Sequence, residues 1–197
     1  MFLQRLKNGF SNYAESGESF ELIDGENMRS HDAELSVLLS DFVKKKEKRA
    51  GNKDIRLYVV SQIGKQSVGK SFLFNHMFKT KFLNRSGRCT QGINIAFRDF
   101  KNLELNDEKA KPSSDKLLIL DTEGLGSLDK VKRLKGKDMN FDRVMVLFCL
   151  TVSNALIITL KSEIDSETAD LLAVCCWALQ NLKINKTAPP HIFFVLN

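Results

Sequence analysis

The chain has 197 residues, 43% of them hydrophobic and 27% charged, enough apolar content for one α/β-sized domain with a real core and too much for a fibre or a disordered tail. Its formal charge of +6 suits an anionic ligand and fits nucleic acid, acidic lipid and nucleotide equally. Four cysteines, Cys89, Cys149, Cys175 and Cys176, form no C-x-x-C pair and follow no secretory leader, which argues for a reduced, cytoplasmic chain and against a disulfide or zinc scaffold.

Residues 1–19 are polar and read as a flexible lead-in. "FELID" alternates like a short strand and "GEN" is a turn. In "SHDAELSVLLSDFV" the apolar spacing of Ala33, Val37, Leu38 and Phe42 is helical, with Ser30 or Asp32 available as a cap. The basic run "KKKEKR", Lys44 to Arg49, reads as the solvated end of that helix, where cations are favoured. "IRLYVVSQI" is a strand by its β-branched and aromatic content, a glycine loop follows, and "KSFLFNHMF" opens a helix. "GINIAFRDF" is a second strand, "NDEKAKPSSD" a surface loop, and "LLIL" a buried strand leading into "DTEGLGSLDK" and a basic loop.

The apolar stretch Val144 to Leu160 is too short for a membrane span, and Thr151, Ser153 and Asn154 interrupt it. A buried helix running into a buried strand explains it better. A long helix from about Ser166 to Leu182, the breaker "NKTAPP" and the strand "HIFFVL" complete the chain. Strands alternate with helices, so the expected fold is α/β in three layers: a mostly parallel sheet with helices on both faces. Because the chain stops one residue after a strand, the expectation is a C-terminally incomplete domain.

Three stretches carry the chemistry. Gly64, Gly69, Lys70 and Ser71 fit the phosphate-binding spacing G-x-x-x-x-G-K-[ST], in the strand, loop, helix context that the pattern needs. Such a loop turns backbone N–H groups toward phosphate oxygens, with the positive end of the next helix behind them. Lys70 is then expected to bridge the β- and γ-phosphates and Ser71 to place its hydroxyl on Mg²⁺. Asp121, at the C-terminal end of the "LLIL" strand, points to the same sheet edge and is the acid expected to hold the magnesium water shell, while the N–H of Gly124 senses the γ-phosphate. Thr90, in the loop "NRSGRCTQG", is the group expected to close on Mg²⁺ when the γ-phosphate is present.

Together "GKQSVGKS", "GRCTQG" and "DTEGLG" resemble the GTPase domain of the dynamin superfamily, above all its guanylate-binding protein, atlastin and very large inducible GTPase branches. The likeness covers most of residues 20–197, and it implies a Mg²⁺-dependent GTPase that passes from GTP to GDP. It further implies a homodimer across the nucleotide face, membrane association as in some relatives, and no nucleic-acid partner. The nucleotide contacts it carries over are Gly64, Lys65, Gln66, Ser67, Val68, Gly69, Lys70, Ser71, Phe72, Arg88 and Gly124, with Ser71, Thr90 and Asp121 on the metal.

In Ras-like proteins a glutamine after D-x-x-G orients the attacking water, but Leu125 stands there. The resemblance assigns that role to Gln66, with Ser67 near the bridging oxygen and Thr90 holding the water; these three and Lys70 form the expected catalytic set. Guanylate-binding proteins have an arginine where Ser67 stands, so transition-state charge is left to Arg85, Arg88 or a monovalent ion. "NKTA", 185–188, is a decoy for the base-reading N/T-K-x-D motif: it lacks the Asp and precedes its strand. The true motif is expected to begin near Asn197, so guanine preference rests on resemblance. An ATPase on the same scaffold and a non-catalytic interaction module stay open at this stage.

Overall fold

The computed structural model describes residues 16–25, 29–33, 35–37, 39–40, 56–83, 90, 92–100, 103, 115–125, 141–161, 166–181 and 189–197. Among these run β1 (Ser19–Ile23), β2 (Leu57–Gly64), α1 (Lys70–Phe78), β3 (Ile93–Asp99), β4 (Lys116–Thr122), α2 (Phe141–Val152), β5 (Ala155–Leu160), α3 (Ser166–Asn181) and β6 (His191–Leu196). Positions 32–33, 35–37 and 39–40 are helical as well. The basic run at 44–49, most of the 106–115 loop and the "NKTA" decoy lie outside the described residues.

Six strands form one sheet in the order β1-β3-β4-β2-β5-β6. β4, β2, β5 and β6 are mutually parallel, as a helix-linked series requires. β3 runs antiparallel to both β1 and β4, so the mostly parallel sheet carries a reversed strand. The reason is local. A parallel step needs a crossover of a dozen or more residues, usually helical, and the segment from Phe100 to Asp115 has the Pro, Ser and charge content of a loop.

Side chains alternate across each strand, and the two faces can be followed residue by residue. Leu118 and Leu120 of β4, Ile63 of β2, Ile95 and Phe97 of β3 and Leu156 and Ile158 of β5 face Met145, Val146, Cys149 and Leu150 of α2 and Cys175 of α3. Leu117 and Ile119 of β4, Ala96 of β3 and Ile157 of β5 pack with Phe74 of α1 and Phe82 on the other face. The domain is therefore three-layered, with α2 and α3 on one side and α1 on the other.

Of the polar interruption in the Val144 to Leu160 stretch, Thr151 lies in the last turn of α2, its hydroxyl donating to the Phe148 carbonyl, and Ser153 and Asn154 form the turn between α2 and β5. Ser153 Oγ bonds Ser61 Oγ at 2.6 Å, and Asn154 ties to Val59 of β2 through both its backbone N–H and its side-chain Oδ1. The buried hydroxyls of Ser61 and Ser153 satisfy each other across the helix–sheet interface. No helix among the described residues is long and apolar enough to cross a membrane.

Candidate functional site

β2 ends at Gly64, whose φ of 155° and close approach to β5 leave no room for a side chain: a Cβ would lie 2.4 Å from the Thr159 carbonyl oxygen. The loop then turns through Ser67 at φ 60° and Gly69 at φ 80°, both left-handed, before α1 begins at Lys70. A left-handed serine is uncommon and occurs where the surroundings over-determine the backbone. Val68 is buried beneath this turn. With α1 starting at Lys70, the first helical N–H groups open into the loop, the arrangement that binds anions.

Lys70 is only 7% exposed, and its ammonium donates to the carbonyls of Lys65 at 2.7 Å and Gly64 at 3.1 Å. Two loop carbonyls thus hold this buried cation in place, near the Asp121 carboxylate. Ser71 Oγ donates to Asp121 Oδ2 at 2.6 Å, Thr90 Oγ1 donates to the same oxygen at 2.9 Å, and the two hydroxyls lie 3.1 Å apart. Three residues from three separate parts of the sequence thus converge on one oxygen cluster. Burial of Asp121 pushes its carboxyl above the ordinary range, against hydrogen bonds from Ser71, Thr90 and Gln62 and the nearby Lys70 charge.

Gly124 closes the other side of the loop. A Cβ on it would sit 2.4 Å from Gln66 Cα, so only glycine allows the two backbones this approach. Leu125 donates its N–H to the Gly64 carbonyl at 3.0 Å and buries its side chain in the α2/α3 core, which places it away from the loop's mouth. Phe72 is exposed and stacks on His76 along α1. Of the expected site residues, the structure brings together Gly64, Lys65, Gln66, Ser67, Val68, Gly69, Lys70, Ser71, Thr90, Asp121 and Gly124 around one loop. Arg85 and Arg88 lie outside the described residues.

A model of the URGCP-like GTPase domain matches residues 4–197. The chain belongs to that family. It is 31% identical over 178 residues to interferon-induced very large GTPase 1 of Mus musculus and 32% identical to the Homo sapiens protein of that name, covering 90% of this chain and 7% of each relative. It is also similar to the protein SEY1 of Chaetomium globosum, at 31% identity over 131 residues, 66% of this chain and 14% of that protein. The chain therefore spans a small part of the curated relatives it matches. Family and relatives agree with the branches to which the three motifs point.

The GTPase domain also uses residues that the motifs did not single out. Glu123, 2% exposed, accepts the Gly92 N–H at 3.0 Å, and its own N–H donates to the Gly92 carbonyl at 2.7 Å. This reciprocal pair fixes the exit of the Thr90 loop to the strand end carrying Asp121. Gly92 is itself confined, at φ 62° with a hypothetical Cβ 1.9 Å from the Ile23 carbonyl oxygen. Gln62, fully buried in β2, donates to Asp121 Oδ1 at 2.8 Å. The one available signal for both was polarity out of place: a glutamine inside an apolar strand and a glutamate between the motif's Asp and Gly. Asn197, noted in the sequence only as a boundary, donates from Nδ2 to the Val68 carbonyl at 3.1 Å and links the end of β6 to the phosphate loop.

Proposed function

We propose that this domain binds GTP with Mg²⁺ and hydrolyses it to GDP and phosphate. The observation that carries the reading is the convergence of Ser71, Thr90 and Asp121 on one oxygen cluster beside the Lys70 ammonium and the N-terminus of α1. Guanine as the base follows from family membership.

The donor set fits magnesium. Two hydroxyls and a carboxylate are hard oxygen ligands, and they are few enough to leave room for phosphate oxygens and waters, which is how proteins hold this ion. Ser71, Thr90 and Asp121 would hold it, directly or through water. When bound, Mg²⁺ neutralises charge on the β- and γ-phosphate oxygens.

The chain's own residues supply the rest. Backbone N–H groups of the Gly64 to Ser71 loop and the first turn of α1 grip the phosphates, and Lys70 exchanges its loop carbonyls for phosphate oxygens. The Gly124 N–H would sense the γ-phosphate. Because Leu125 is drawn into the core, a water-orienting group must come from elsewhere, and Gln66, packed against Gly124, stands at that side of the loop. Ser67 and Thr90 complete the expected catalytic set. Likeness to dynamin-type GTPases supports self-association across this face when nucleotide is bound.

Titration calorimetry with GTP, GDP and ATP, in magnesium and in EDTA, tests the binding reading, and phosphate release tests turnover. GTP and GDP uptake that ATP does not compete away is the expected result. Absence of any purine triphosphate binding by the folded chain sinks the proposal, and preferential ATP binding replaces its base assignment. Light scattering with a non-hydrolysable GTP analogue, compared with the nucleotide-free chain, tests self-association.

A further inference from the structure

Gln62 belongs to no nucleotide-binding motif, yet it touches the acid on which the site converges. It lies two residues before Gly64, fully buried, and its Nε2 donates to Asp121 Oδ1 at 2.8 Å. The other carboxylate oxygen, Oδ2, receives both hydroxyls, from Ser71 at 2.6 Å and Thr90 at 2.9 Å. One oxygen is held from the strand side and the other is turned toward the loop.

The backbone enforces this division. Gln62 and Asp121 are direct neighbours in the parallel β2–β4 register, and Thr122 Oγ1 donates to the Gln62 carbonyl at 2.7 Å, so the two strand ends are fixed at this level. Gln62 Oε1, in contrast, has no hydrogen-bond partner among the described residues. A buried carbonyl without a donor is costly, and an apolar side chain of the same length would avoid that cost. The compensating gain is the bond to Asp121. Turning the amide over would set Oε1 against a carboxylate oxygen, so Asp121 alone dictates its orientation.

We propose that Gln62 is a positioning residue for the metal-binding carboxylate, pinning Asp121 Oδ1 so that Oδ2 is presented to the magnesium that accompanies the nucleotide. A neutral amide suits this role, because it removes rotational freedom from the carboxylate without cancelling its charge, as a lysine or arginine would. Groups that orient a metal ligand in this way typically carry about 10- to 100-fold in metal affinity. The inference rests on the magnesium-nucleotide reading of the site and adds a determinant outside its motifs.

The test is a Mg²⁺ titration of the affinity for a fluorescent GTP analogue, on the full chain, with the affinity in EDTA and the melting curve in EDTA as controls. Gln62→Met removes the donor at nearly constant volume, and Gln62→Asn keeps an amide too short to reach. In whichever of the two melts cooperatively, the Mg²⁺ midpoint is expected to rise about tenfold while the EDTA affinity stays within about twofold of the parent. A midpoint within about twofold of the parent overturns the inference, and so does an equal loss of affinity in EDTA, which would mean a distorted loop. Ser71→Ala separates the two levels: if it shifts the midpoint and the Gln62 variants do not, the nucleotide site stands and Gln62 only fills space. If the parent binds no nucleotide, both fall.

Discussion

The two faces of the sheet are built from alternate residues of the same strands, yet they end differently. Toward α2 and α3 the strands stay mainly apolar, from Leu57 to Ile63 in β2 and from Leu118 to Leu120 in β4, and the polar Ser61 is matched by Ser153. Toward α1 the apolar run stops early: after Val60 comes Gln62, after Ile119 comes Asp121, and after Ile157 comes Thr159, all buried. One face is spent on stability. The other gives up its last row of apolar side chains to seat a polar site beneath the phosphate loop, and is held by a smaller cluster around Phe74.

That contrast can be broken from either side. The largest effect is expected from Phe74→Ala, which empties the centre of the smaller cluster. It should cost about 3–5 kcal/mol in denaturant unfolding, with triphosphate affinity falling too because α1 carries Lys70 and Ser71. Met145→Ala, on the other face, should cost about 2–5 kcal/mol and leave the affinity of the folded fraction unchanged. Equal losses of affinity in the two variants would erase the distinction between the faces.

Lys70→Ala comes next. Triphosphate affinity is expected to fall about 100-fold, equivalent to about 2.7 kcal/mol, in calorimetry, with a smaller loss of melting temperature because the Gly64 and Lys65 carbonyls lose a donor. Gly124→Ala should weaken binding about tenfold, because the new methyl group meets the Gln66 backbone and displaces the loop.

The smallest effect sharpens the comparison. Asp121 has a folded pKa raised above its ordinary 3.8, so the folded chain holds a proton more tightly than the unfolded one. Its contribution to stability is fully present below 3.8 and is lost as pH rises through the raised value. In the absence of metal and nucleotide, Asp121→Asn should therefore raise the melting temperature at neutral pH and lose that advantage in acid, while removing the magnesium dependence of binding. A lower melting temperature at neutral pH would show that hydrogen bonds, not burial, dominate this carboxylate.

The same contrast explains what the sequence reveals. Strands such as "LLIL" and the loop "GKQSVGKS" are legible because their signals are local: β-branched runs, glycines at fixed spacing, a Lys-Ser opening a helix. The reversed direction of β3 is not legible in the same way, because strand direction is set by the connection to β4 and not by the strand's own residues. Gln62 and Glu123 escape a motif reading for a deeper reason. Their partners lie 59 and 31 positions away, and only strand register and loop return decide that Gln62 stands beside Asp121 and Glu123 beside Gly92. Thr90 could be singled out as a lone hydroxyl before a strand, but its bond to Asp121, 31 positions away, depends on the same loop return.

Leu125 carries a kinetic consequence. Its side chain is sunk in the core and its N–H is tied to the Gly64 carbonyl, so Leu125 is held at the base of the loop and turned away from its mouth. On the proposed reading Gln66 and Ser67 lie in the loop that also grips the phosphates, with Thr90 joining from a second loop. Substitutions at Gln66 or Ser67 should consequently move KM and kcat together.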